Sequence, residues 1–183
     1  ISGTSNGKLG NLSLSANTGD ILDSANTTFF GADQWYLNTN HTTNDTITAW
    51  TRVPATDGGG NIGSAMSVSS GIWTFPTTGV WLVLGNLTMN HTATDNDNVA
   101  FLFEFTDDGN FTTNFTNKPY NQSYVEHEGA TQSHTLYYLF DVQDTSNYVA
   151  RVKASSLGSG NYIVGNQSNL HYSYLSFIRL GDT

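Results

Sequence analysis

The chain of 183 residues and 19.9 kDa is long enough for one domain with a real core, or one domain and an arm, and too short for a multidomain enzyme. Only 11% of residues are charged, and six Lys plus Arg against fifteen Asp plus Glu leave a net charge of -9; the basic face that a phosphate backbone needs is missing, so nucleic acid is not expected as a partner. Aromatics at 13%, eighteen Gly and no Cys describe a turn-rich β protein without disulfides, thiolate catalysis or zinc-thiolate sites, and the lack of bridges favours a bacterial or viral origin.

Residues 1–25 are Ser, Asn, Gly and Thr with sparse Leu9, Leu12, Leu14, Ile21 and Leu22, too few apolar groups for a core. They are expected to form an extended N-terminal arm, with residues 26–183 as the folded body. The opening Ile1 in place of Met leads us to expect residues upstream, removed or left unnumbered. Beyond the arm, period-two patterns recur and no helical period lasts more than two turns. Strands are predicted over 46–53, from Gly71 to the break at Pro76, and over 79–89, 98–106, 134–142, 147–154 and 169–180. Turn residues separate them at 57–60, 107–110, 144–147 and 157–160. The longest apolar run, residues 80–84, is far too short to span a bilayer and reads as a buried strand. Residues 110–128 carry Phe111, Phe115, Tyr120 and Tyr124 without a strand pattern, and a long loop of this kind is expected to be functional or buried in an interface. Strands at this spacing without helices indicate a β-sandwich or barrel.

The segment Gly71-Ile72-Trp73-Thr74-Phe75-Pro76-Thr77-Thr78-Gly79-Val80-Trp81 sets large apolar groups at alternate positions around a Pro/Gly turn. It resembles the Gly-x-aromatic-x-x-Pro-x-x-Gly-x-aromatic signature of the jelly-roll superfamily that joins the complement globular heads and tumour necrosis factor. Residues 144–152 resemble that family's late turn and strand, and residues 172–180 its closing strand. Trp81 stands where Tyr or Phe is commoner, and no collagen-like stalk is present. The resemblance implies an all-β jelly-roll sandwich of the tumour-necrosis-factor kind and a homotrimer. The same fold recurs on bacteriophage particles.

Local chemistry is sparse. His41, His91, His127, His134 and His171 never fall three or four apart, so no helix-borne metal site can be built from them. Glu126-His127-Glu128 with His134 could join carboxylate and imidazole, but reads first as a solvated loop. Asp95 and Asp97 supply hard oxygens at alternate positions, like half of a calcium loop; they lack its glycine and closing Glu, and serve first as turn formers. No cofactor is expected, with calcium the minor exception. There is no Gly-x-Ser-x-Gly elbow, and the charged residues cluster at turns, so no catalytic residues are assigned. Ten Asn-x-Ser/Thr sequons, among them Asn40, Asn44, Asn86 and Asn90, are read mainly as a product of composition. The aromatics exceed what one small sandwich buries; Tyr137, Tyr138, Tyr172 and Tyr174, adjacent or alternating on late strands, are the candidates for intersubunit packing, since they cannot all face one core.

These readings lead us to expect a non-enzymatic structural protein of a virus particle, most simply a homotrimeric capsid decoration protein on the virion surface. Its expected partners are further copies of itself and the major capsid protein or other virion proteins, with no membrane insertion. A phage-fibre head recognising host surface glycan is the first alternative. A secreted ligand of the complement or tumour-necrosis-factor type is the next, and a carbohydrate-active enzyme the last.

Overall fold

The computed structural model describes residues 31–92, 98–111, 115–124 and 129–182. The expected arm, Asp95, Asp97 and the 126–128 group lie outside the described residues. Twelve strands are found among the described residues: β1 (Gly31–Leu37), β2 (Trp50–Arg52), β3 (Asn61–Ile62), β4 (Ser67–Ser69), β5 (Ile72–Thr74), β6 (Gly79–Asn90), β7 (Asn98–Thr106), β8 (Phe115–Tyr124), β9 (Thr131–Val142), β10 (Val149–Ser155), β11 (Tyr162–Ile163) and β12 (Tyr174–Gly181). A 3-10 turn at Ala55–Asp57 is the only helical turn among them.

The strands form two antiparallel sheets. In the larger, the order is β9-β6-β12-β1-β2, with β11 beside β12 on the edge of β6 and β3 beside β2 on the edge of β1. The smaller runs β4-β5-β10-β7-β8. Chain neighbours β5 and β6, and again β9 and β10, lie in opposite sheets, which is the winding of a jelly roll.

Alternation along each strand sends one set of side chains between the sheets. Trp73 is the hub of that core: its ring centroid lies 4.8 Å from Trp35, 4.8 Å from Phe177 and 5.9 Å from Trp50. Phe75, two residues on, meets Trp81 at 5.4 Å and Phe140 at 5.6 Å. The glycine-aromatic signature thus has a physical basis. Trp73, Phe75 and Trp81 are core positions, and Gly79 takes φ +128 where a Cβ would come within 2.8 Å of Arg179 Nε.

Several expectations are corrected. The predicted loop 110–128 contains the ten-residue strand β8, which pairs with β7 alone at the sheet edge. Its pattern is broken by Lys118-Pro119, where the register against β7 slips between Leu102 and Glu104; a proline is tolerated at such an edge bulge because no ladder needs its missing N–H. The predicted strand 46–53 divides. Thr46 bridges to Lys153 in the smaller sheet, whereas β2 pairs with β1 in the larger. Charge is not confined to turns either. Asp33 on β1, Glu104 on β7 and Arg179 on β12 are buried on strands, each with a partner. Asp33 accepts from Arg52 Nε at 2.9 Å, from Arg52 Nη2 at 3.0 Å and from the Met66 N–H at 2.9 Å.

Candidate functional site

The run at residues 80–84 is not buried as a whole. Trp81 and Val83 enter the core, while Val80, Leu82 and Leu84 point out of the larger sheet and stay half-buried. Register extends this across the sheet. Leu82 lies opposite Leu139 on β9 and Ile178 on β12; Ile178 lies opposite Ala32 on β1, and Ala32 opposite Ile62 on β3. One cross-sheet row is therefore apolar over five strands, which at ~4.8 Å per strand spacing spans about 19 Å. The adjacent row runs Tyr137, Leu84, Ser176, Gln34, and the next Thr135, Asn86, Tyr174, Tyr36. Tyr137 is 67% exposed, Ile62 64%, Leu139 55% and Tyr174 46%. Asp141, opposite Val80, is the one charge among the described residues of this face. A sheet face that meets water normally alternates to polar residues, and one that reads apolar on both sides is normally covered on both.

The four candidate tyrosines divide. Tyr137 and Tyr174 stand on the outer face. Tyr138 has the opposite parity and packs into the core, 4.7 Å from Phe105, so it is not available to that face. Tyr172 precedes β12; its carbonyl accepts from Asn86 Nδ2 at 3.1 Å and Thr88 Oγ1 at 2.8 Å. Sequence reasoning singled out the late tyrosines and overlooked Leu82, Leu84, Leu139 and Ile178. The signal was the unbroken apolar run itself, read as core on both faces.

At the β1 end of this face, residues 53–60 leave the edge of β1 between β2 and β3 and fold back over Gln34 and Ser176. Two adjoining grooves lie beneath. One, about 330 Å³, is lined by Gln34, Trp35, Gly58, His171, Tyr174 and Ser176 among others; the second, about 220 Å³, shares Gln34, Gly58, Gly59 and Ser176 with it and reaches the apolar row at Ala32, Ile62 and Ile178. His171 stacks on Tyr36, ring centroids 3.9 Å apart and 6° from parallel.

The other histidines do not gather. His41 Nε2 lies 3.2 Å from Asp45, and His134 turns its ring between the sheets toward Phe101, where burial lowers its pKa below the ordinary 6.5. Among the described residues no three His, Asp or Glu side chains converge as metal ligands would. No helix among them is long and apolar enough to cross a membrane. The sequon asparagines do more than reflect composition. Asn44 accepts from the Leu157 N–H at 2.6 Å and donates to its C=O at 3.1 Å, Asn40 accepts from Gly165 N–H at 2.9 Å, and Asn90 donates to Thr131 Oγ1 at 3.0 Å. The Asn40 and Asn44 amides hold loops where backbone partners run out, and Asn90 ties the ends of β6 and β9.

No family model matches the chain, and no curated protein sequence does. Solved structures do resemble it. Eiger TNF from S. frugiperda superposes with a TM-score of 0.61 at 13% identity, over 84% of this chain and 94% of that one. Murine APRIL at pH 5.0 gives 0.58 at 13% identity, over 82% and 99%. The chain therefore has a tumour-necrosis-factor-like jelly-roll fold, and at this identity the likeness is one of fold.

Proposed function

We propose that the protein is a non-enzymatic, self-associating jelly-roll module, and specifically a homotrimeric structural protein on the surface of a virus particle. The observation that carries the self-association is the apolar row Leu139-Leu82-Ile178-Ala32-Ile62 on the outer face of the larger sheet. Further copies of the chain are its occupants: the face is almost free of charge, so a net charge of -9 per chain is not concentrated where copies meet. Three copies in a closed ring would each cover one edge of the face with a neighbour's, as a threefold contact between unlike patches requires. The virion setting is supported by the cysteine-free, Asn/Ser/Thr-rich composition and by the polar residues 1–25, which would tether the trimer to the major capsid protein. A secreted ligand is the second reading, favoured by the fold likeness to Eiger TNF and APRIL.

Antibody against the recombinant chain, applied to virus particles purified from the source of the sequence, tests the setting. We expect label on the outer surface of particles, and loss of particle binding by a chain lacking residues 1–25 that remains trimeric. Antigen found free in the medium and never on particles would overturn the virion reading in favour of the secreted ligand.

A further inference from the structure

We propose that the groove between the 53–60 loop and the β1/β12 surface is a binding site for a neutral saccharide. The first groove shares no residue with the apolar row that further copies of the chain cover, whereas Ala32, Ile62 and Ile178 of that row line the second, so the saccharide is assigned to the first.

The size and the chemistry of the walls narrow the ligand. A volume of about 330 Å³ sits at the lower end of small-molecule sites. The lining of the two grooves carries no Lys or Arg, and Asp57 and Asp33 are its only carboxylates. Asp33 is committed to Arg52 and Met66. A phosphate or carboxylate ligand would therefore find no cation, and a metal ion no ligand cluster. What remains in the first groove is a set of neutral groups that both donate and accept, Gln34, Ser176 and His171, on a partly aromatic floor. Tyr174 is half exposed there, and His171 is held flat by its stack on Tyr36. A pyranose ring presents a C–H face to an aromatic surface and equatorial hydroxyls to amides, which is the complement of this lining.

The test is a titration of the ¹⁵N-labelled full chain with glucose, galactose, N-acetylglucosamine and maltose, with sialic acid as the anionic control. Amide signals of Gly58, Gly59 and Ser176 report the groove. Sugar concentrations to about 50 mM detect a Kd in the millimolar range. We expect saturable shifts at these signals with at least one neutral sugar, and affinity weakened about tenfold or more by Gln34→Ala and by Tyr174→Ala. Sedimentation of the same variants keeps loss of assembly apart from loss of binding. The proposal is overturned if no neutral sugar moves these signals, or if only sialic acid does. It is equally overturned if the sugars bind only to a Leu139→Asp chain that no longer assembles, since a second copy would then be the occupant.

Discussion

Replacing Asp33 by Ala probes how a polar clamp holds the β1 edge on which the groove and the outer face both depend. The carboxylate is 1% exposed and receives both Arg52 Nε and Nη2 as well as the Met66 N–H. Its loss leaves that N–H without its acceptor, at about 1–3 kcal/mol, and leaves the guanidinium without its counter-charge. Breaking a buried pair on one side costs about 3–5 kcal/mol. Arg52, however, is about a third exposed and keeps both its bond to the Met66 carbonyl at 2.6 Å and its seat 4.4 Å over the Trp35 ring. The lower end, about 3 kcal/mol, is therefore expected, or a fall in Tm of about 6–12 °C for a domain of this size. Urea unfolding of Asp33→Ala, Arg52→Met and the double variant at one protein concentration measures it. The double variant should cost less than the sum of the singles by more than about 1 kcal/mol. Strict additivity, or a loss under about 1 kcal/mol for Asp33→Ala, would refute the clamp.

Two further outcomes follow from single residues. Burial holds the His134 pKa below 6.5, so the folded protein binds fewer protons than the unfolded chain as pH falls past that value; stability should drop on acidification, and less so in His134→Leu. Parallel urea midpoints for the two proteins between pH 7.5 and pH 5 would contradict this. On β6, Gly85→Ala would put a Cβ 2.8 Å from Leu175 Cδ2 and 3.1 Å from Phe103 Cε1, an overpacking expected to cost about 1–3 kcal/mol in thermal unfolding; an unchanged Tm would show that the sheets separate freely at that point.

What the sequence reveals depends on where each strand sits. Trp73, Phe75 and Trp81 are legible because alternation and the Pro76/Gly79 turn agree, and β7 emerges with its full bounds, Asn98–Thr106. Strand β1 is hidden by Asp33, a charge on a core-facing position whose partner Arg52 lies 19 residues away. At β8 the bulge conceals the period, and β3 and β11 are two residues each, below any periodic signal. The candidate face was half visible, through Tyr137 and Tyr174. Its aliphatic row depends on which strands become neighbours, and β6 meets β12 and β9 only through folding.

The central claim, that copies of this chain cover the outer face of the larger sheet, is tested most directly by sedimentation equilibrium of the full chain at low micromolar concentration. The account predicts a single species of three times 19.9 kDa, and for Leu139→Asp a shift to the single-chain mass with the far-ultraviolet spectrum unchanged. A wild-type chain that sediments at 19.9 kDa under those conditions would contradict it.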